Sequence, residues 1–310
     1  MSMAGNIQYL QNHEIDRARW DACIENADNG LIYGYSFYLD AMCDNWDALV
    51  LDDYQAVMPL PWRRKFTISY LYQPFYVATL GVFGNNISEE VFAQFLKSIP
   101  AKFRYWDVDL NEENRINENL DLTHLDCRKR KNLFLKLNTY ETIYARYSRL
   151  AKRKLIKAKN EGLQVIRDIP ASDVINHYIH EYEKKNRIIP DEVYVNLKTL
   201  FQHFKKENYQ TYTATTQQGE VVGFYLVYVD KKFVYSILGG STAEGKCKGA
   251  FYLLTDAAIQ DFAGTHKTFR FEGSDLPGIE FFDLQFGSYP ITYLHLKRNS
   301  LPLPLRWLKD

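Results

Sequence analysis

Residues 267–290 read KTFRFEGSDLPGIEFFDLQFGSYP, and the order of elements in this stretch decides the fold. Thr268, Phe269, Arg270, Phe271 and Glu272 are β-prone and partly alternating, and the triplet Gly273, Ser274, Asp275 breaks the strand. Ser274 or Asp275 can cap a helix that carries Pro277 in its first turn, where the missing N–H costs little. Ile279, Phe282 and Phe286 recur at spacings of three and four and predict one buried stripe. Gly287 then ends the helix as its C-cap.

Working outward, 310 residues exceed what one core usually holds and predict two domains. Lysine plus arginine and aspartate plus glutamate both number 38, so no global field favours nucleic acid or an anionic membrane, and any polyanion site must be local. Cys23, Cys43, Cys127 and Cys247 are dispersed, with no CxxC pair and no clustered histidines, which predicts reduced thiols in a cytoplasmic protein and no metal. No apolar run has signal-peptide or membrane-span length, so a soluble protein is expected.

Short strands and helices follow one another twice. In the first half, strands at 7–10, 46–51, 55–62, 67–75 and 105–110 are interleaved with helices at 16–26, 36–43 and 88–98, with Ser36 and Ser88 as caps. Residues 122–126 and 132–137 read as a hairpin, and 140–162 as one long basic helix. The second half repeats the order: strand 163–169, helices 171–185 and 191–207, strands 209–216, 221–229 and 233–239, helix 250–262, strand 268–272. The two halves share element order and not sequence. The expected architecture is α+β, two tandem domains at 1–138 and 139–310, each a mixed, mostly antiparallel sheet flanked by helices.

Several groups could carry chemistry. Residues 239–250, GGSTAEGKCKGA, lead into a helix: glycines let backbone N–H groups converge on an anion, and Lys246 and Lys248 add charge, although a plain flexible turn would look the same. Arg146, Arg149, Arg153 and Lys157 form one basic stripe that could clamp phosphates, or simply face solvent. Glu272, at the end of its strand, could take a proton from an attacking amine, or bond its own turn. Asp107 and Asp109 share one face of the strand at 105–110. Tyr225, Tyr235, Tyr289 and Tyr293 present phenols, of which Tyr289, just past the last helix, is the best placed to act as an acid. Cys247 has no histidine or acid at useful spacing, which argues against a thiol nucleophile.

The strands at 225–229 and 233–239, the glycine-containing loop and the closing FFDLQFGSYP together resemble the GNAT acyltransferase fold, and two such domains in tandem resemble the FemAB group and the related BioF2-like acetyltransferases. Residues 132–165, NLFLKLNTYETIYARYSRLAKRKLIKAKNEGLQV, are similar to a FemAB passage of apolar strand, acidic helix start and basic helix. The resemblance covers most of the chain. It implies an acyl or aminoacyl group moved to an amine by direct attack, without a metal. It implies acyl-CoA, such as acetyl-CoA, as donor, with aminoacyl-tRNA as the alternative. By the same resemblance Gly245, Lys246, Lys248, Gly249 and Ala250 would cradle the donor's pyrophosphate, and Arg149, Arg153 and Lys157 would hold the acceptor, a small molecule or a peptidoglycan precursor. Asp109 roughly matches a FemAB aspartate at the corresponding strand end. Only two short helices fit between 171 and 207, so the coiled-coil insertion of some FemAB enzymes is missing, which weakens the tRNA alternative. A pair of GNAT-like domains that binds a ligand without catalysis is the remaining alternative, because fold does not fix function.

Overall fold

A computed structural model of the chain describes residues 5–115, 125–183, 189–273, 277–303 and 306. They form a mixed α+β fold of two compact units, Met1–Arg130 with Thr292–Asp310 and Lys131–Ile291. In the first unit, β1 (Ile7–Leu10), β2 (Trp46–Leu51), β3 (Ala56–Lys65) and β4 (Ile68–Tyr72) run antiparallel in sequence order, with the two-residue β5 (Phe83–Gly84) beside β3. β6 (Phe103–Asp109) joins β4 in parallel, and β13 (Tyr289–Asn299) pairs antiparallel with β6 through His295 to Asn299. Helices α1 (Arg17–Asn26), α2 (Ser36–Met42) and α3 (Glu89–Ser98) flank this sheet. Asp16 caps α1 by accepting from Ala18 and Arg19 N–H, and Ser88 caps α3 by accepting from Val91 N–H. Ser36 does not cap α2: Tyr35 occupies that position, and Ser36 gives its backbone N–H (2.7 Å) and its hydroxyl (2.8 Å) to the Asp21 carboxylate.

The second unit repeats the plan. β8 (Gln164–Arg167), β9 (Tyr209–Thr215), β10 (Val221–Val229) and β11 (Phe233–Ser241) are antiparallel, β12 (Thr268–Arg270) joins β11 in parallel, and β7 (Asp126–Lys136) closes the order antiparallel to β12. The direction pattern, three antiparallel pairings, one parallel and one antiparallel, is the same in both units. The sixth strand of each comes from beyond its own run of elements, β13 for the first and β7 for the second. Residues 126–136 are therefore one strand and not an arm of a hairpin; positions 122–124 lie outside the described residues.

The long helix expected at 140–162 is broken into α4 (Tyr140–Ala145) and α5 (Arg149–Asn160). Ser148 caps α5 by accepting from Ala151 N–H (3.0 Å), a bond that competes with helix continuation. The break turns Tyr147 into the core, edge-on to Phe286 (5.1 Å between ring centres), with its hydroxyl 3.0 Å from Asp256. Further on come α6 (Ala171–Tyr178) with a π-helical turn over Ile179–Glu183, α7 (Asp191–His203), α8 (Ala243–Lys248), α9 (Ala250–Phe262) and α10 (Pro277–Leu284). The core packs Ala151, Leu155 and Ala158 of α5 with Leu254 and Ala258 of α9 and with Tyr225, Val227 and Phe269 of the sheet. Each large side chain so buried stabilises the unit by about 1.5–3 kcal/mol relative to exposure. In α10, Phe286 beyond its end is fully buried and Phe282 packs against the core, whereas Ile279 is 39% exposed. The expected stripe thus holds at two of its three positions, because the helix turns Asp283 inward in place of Ile279. Gly287, at φ 76°, ends this passage as expected. The proposed caps Ser274 and Asp275 lie outside the described residues.

Candidate functional site

The parallel pair β11–β12 is short. Phe233, Val234 and Tyr235 lie opposite Thr268, Phe269 and Arg270, and there β12 ends while β11 continues to Ser241. On the β10 side the ladder slips between Leu226 and Val227, whose partners are Leu238 and Ser236, so Ile237 is an extra, bulged residue at the level where the strands part. Among the described residues, 236–241 pair with no strand on the side β12 has vacated. A strand edge presents N–H and C=O groups in register, and in a gap it can hold an extended chain and polarise a carbonyl.

The first unit lacks this gap. Beyond the β4–β6 pairing, Gln73 accepts from Asp109 N–H (2.9 Å), Leu80 N–H donates to Asp109 C=O (2.8 Å) and Asn111 N–H donates to Leu80 C=O (2.6 Å). The chain itself fills the equivalent slot.

Around the open gap, Tyr225 lies across Gly239, where a Cβ would stand 2.5 Å from the Tyr225 ring and 2.6 Å from Phe251. The bare Cα leaves the room that the Tyr225 ring occupies beside β11. Burial pushes the Tyr225 phenol well above its ordinary range, with nearby Ser236 opposing and the charge of Asp283 adding to the rise. Asp283 is only 4% exposed. Phe251 of α9 stands edge-on to Tyr225 (5.1 Å between centres) and stacks on Phe282 (5.0 Å), which links α10 through α9 to β10.

Glu272 lies on the other lip. Its Oε1 accepts from Arg270 Nε (2.8 Å), its Oε2 accepts from Asn132 Nδ2 (2.5 Å), and its backbone N–H, at φ 56°, donates to Asn132 Oδ1 (3.1 Å). Arg270 is 1% exposed, and its guanidinium stands over Phe134 (4.7 Å), Phe233 (5.3 Å) and Tyr235 (5.7 Å). Glu272 is held as the counter-ion of a buried arginine, a geometry that fixes the lip.

The glycine-containing segment is more ordered than an open loop. Thr242 caps α8 by accepting from Gly245 N–H (3.1 Å), and Gly249, at φ 85°, joins α8 to α9. Gly245 is needed for packing, since a Cβ there would lie 1.8 Å from the Val222 carbonyl oxygen, and a Cβ on Gly249 would lie 2.9 Å from the Lys154 carbonyl oxygen of α5. Ala250 is buried at the start of α9, Lys246 is exposed, and Lys248 pairs with Glu244 (2.8 Å). The segment thus sits against α5, on which Arg149, Arg153 and Lys157 are exposed at successive turns. Tyr182 accepts from Ser241 N–H (3.2 Å) and donates to Ser241 C=O (3.3 Å), its ring fitting against bare Gly240.

The remaining candidates stand apart in role. Asp109 is buried in the first unit, where both of its oxygens accept from Arg130 (3.1 and 2.9 Å) and Oδ1 also meets His295 Nδ1 (3.0 Å). Asp107 accepts from the Tyr105 hydroxyl (2.9 Å). Tyr289, half-buried at the start of β13, has its phenol raised by burial, with the nearby Arg146 cation opposing. Cys247 is exposed. Among the described residues no group of three or more histidine, cysteine, aspartate or glutamate side chains could hold a metal ion, and no helix is long and apolar enough to cross a membrane. Sequence reasoning passed over Asp283, and it read Gly239 as part of the glycine loop and Arg270 as a strand residue only. A lone aspartate inside the aromatic run FFDLQF was the one signal available.

No protein-family model matches the chain, and no curated protein matches it. Among solved structures it is similar to FemX, at 11% identity and a TM-score of 0.67, over 97% of this chain and 99% of that one. It is also similar to a conserved protein of unknown function from Bacteroides thetaiotaomicron (9% identity, TM-score 0.61, 95% and 99% covered). A further similarity is to L-PGS from Bacillus licheniformis (10% identity, TM-score 0.55, 94% and 95% covered). At these identities the likeness is one of fold: the chain shares the fold of FemX over nearly its whole length.

Proposed function

We propose that the second unit transfers an acyl group to an amine by direct attack, with the gap between β11 and β12 as the place where the carbonyl is presented. The observation that carries this reading is the parting of the two strands after Tyr235 and Arg270, beside the bulge at Ile237. The donor's extended arm lies along 236–240, short of Ser241, whose N–H and C=O bond Tyr182, and its carbonyl oxygen faces the backbone beside the bulge. Positioning and backbone donors supply most of the rate.

Acyl-CoA is the donor that suits this geometry. Its phosphates meet the first turn of α9 at Gly249 and Ala250, with Lys246 adding charge and Lys248, already paired to Glu244, held close by on the packing of Gly245. Arg149, Arg153 and Lys157 hold the anionic part of the acceptor. Glu272 keeps the lip in place, and Tyr289 is the phenol nearest the exit of α10 in sequence.

The test is thermal stabilisation by acetyl-CoA and longer acyl-CoAs. Ligand at 100 times its dissociation constant should stabilise the chain by about 2.7 kcal/mol, and Lys246→Ala should reduce the shift. Absence of any shift with the whole series would remove acyl-CoA as donor. One observation favours a second reading, aminoacyl-tRNA as donor: the three α5 cations are exposed and have no carboxylate partner among the described residues. In that case tRNA binding should weaken steeply with salt, and replacing Arg149, Arg153 and Lys157 by alanine should flatten the slope by about two to three charges. A slope unchanged by the triple substitution would exclude the stripe as the contact.

A further inference from the structure

The open edge of β11 is covered at one end only. Thr242 N–H, just past the strand, donates to Val222 C=O of the neighbouring β10 (3.1 Å). Because the N–H and C=O groups along a strand alternate in direction, those of Ser241 and Gly239 point to the side that β12 has vacated. There Ser241 meets a side chain in place of a strand. Its N–H donates to Tyr182 Oη (3.2 Å) and the same hydroxyl donates to its C=O (3.3 Å), the pair of bonds that a strand partner would make. Tyr182 comes from the π-helical turn Ile179–Glu183, a geometry that is rare and concentrated at functional sites. Its ring leans on Tyr178 (5.1 Å between centres) and Phe224 (6.2 Å) and crosses Gly240, where a Cβ would stand 2.5 Å from it. Gly239, one repeat back along the edge, has no such cover among the described residues. Blunting the edge against aggregation would call for cover at both positions, so selective cover at Ser241 has another use.

From this arrangement we infer that Tyr182 is an end stop that fixes the register in which an extended donor arm docks on β11. The inference rests on the acyl-transfer reading. A strand edge repeats its bonding groups at every second residue, about 7 Å apart, so an arm that carries amide groups fits it equally well one repeat further along. That slip would carry the carbonyl about 7 Å from the bulge at Ile237, whereas attack needs the reacting atoms within about 3.5 Å. With Ser241 already bonded to the phenol, Gly239 is the position left for the arm. Tyr182 touches no reacting atom in this reading, and it is a positioning residue.

The experiment measures amide hydrogen exchange by NMR in the nitrogen-labelled chain and in Tyr182→Ala, each with and without saturating acetyl-CoA. In the unaltered chain Ser241 N–H should be protected throughout, and Gly239 N–H only with acetyl-CoA. In Tyr182→Ala, Ser241 N–H should exchange freely in the unliganded chain and gain protection with acetyl-CoA. Tyr182 is 39% exposed, so its removal leaves the core in place. Gly240→Ala, whose Cβ pushes the ring off the strand, should have the same effect with the phenol still in the chain. In acetyl transfer to primary amines followed by thiol release, donor bound in the slipped register is idle. There kcat and KM should fall together, by about twofold where the two registers are equally occupied, with kcat/KM unchanged. A drop in kcat/KM would mark Tyr182 as merely structural and overturn the end stop. Protection gained at Gly239 in both chains but at Ser241 in neither would also overturn it and leave acyl transfer intact. No protection gained at either amide in either chain would remove acyl-CoA as donor, and the inference with it.

Discussion

Replacing Glu272 by glutamine tests whether this residue anchors the lip of the gap or stands ready as a free base. Arg270 is 1% exposed and its Nε–H is 2.8 Å from Glu272 Oε1, while Oε2 is 2.5 Å from Asn132 Nδ2. Two donors therefore point at the two oxygens. A glutamine offers one oxygen and one NH2, so whichever way it turns, one donor faces another donor and the guanidinium loses its counter-charge. Removing one partner of a buried ion pair costs about 3–5 kcal/mol. The aromatic faces of Phe134, Phe233 and Tyr235 still shield the Arg270 cation, which puts the expected loss at the lower end, about 3 kcal/mol. The assay is urea unfolding monitored by far-UV circular dichroism, with a lower midpoint expected at unchanged slope. The paired substitution Arg270→Met with Glu272→Gln removes both charges and should recover most of the loss. A Glu272→Gln chain within about 0.5 kcal/mol of the original, the range of ordinary surface changes, would refute the anchoring argument.

Gly245→Ala should cost more than the usual 1–3 kcal/mol of overpacking, because its Cβ would sit 1.8 Å from the backbone oxygen of Val222 and neither atom belongs to a flexible side chain. A melting temperature equal to that of the original chain would show that the close approach is relaxed in solution. Asp256 accepts from the hydroxyls of Tyr140 (2.9 Å) and Tyr147 (3.0 Å) and from Gln260 (2.8 Å), and burial holds its carboxyl above the ordinary range. A folded-state value above the unfolded one means the native state binds the proton more readily, so this contribution is fully present below the ordinary carboxylate range and is lost as pH rises through the raised value. The stability difference between the original chain and Asp256→Asn should therefore fall as pH increases across that window, and a flat or rising difference in denaturant titrations would contradict the argument.

The features legible in the sequence were local ones. Ser88 caps the helix it precedes, the spacing of Phe282 and Phe286 marks their common face, and Gly287 ends the passage at positive φ. Doubling of the element order was legible for the same reason, since each strand and helix carries its own period. The unread features depend on distant neighbours. Gly245 looks like a flexible loop residue until Val222, on a strand some twenty positions earlier, is found pressed against it. Gly239 likewise reads as part of a turn until Tyr225 crosses it. The break before α5 comes from Ser148 competing for a backbone N–H and from the pull of Asp256 on Tyr147, and only the first of these is local. Asp283 reads as a solvent-facing charge on an amphipathic helix, and its burial is set by the packing of Phe282 on Phe251 and Tyr252.

The open gap in one unit and the closed slot in its twin trace to the segment that leaves the fourth strand. In the second unit β11 passes at once through Thr242 into α8 and α9, leaving no chain to turn back. In the first unit β4 ends at Tyr72 and α3 begins only at Glu89. The intervening residues return so that Leu80 pairs in parallel with Leu110. This return is held by amides: Asn29, Asn111 and Asn114 all donate to Val82 C=O, at 2.8, 3.1 and 2.9 Å, and Asn114 also accepts from Val82 N–H (2.7 Å). Gly81, at φ 102°, makes the turn, and a Cβ there would strike the Asn114 side chain at 2.0 Å. A loop fixed by so many buried bonds would cost too much to displace for a ligand to enter, at about 0.5–1.5 kcal/mol net for each bond. The same strand order thus gives a sealed sheet where the returning chain and its asparagines fill the slot, and an open strand edge where β11 leads directly into α8.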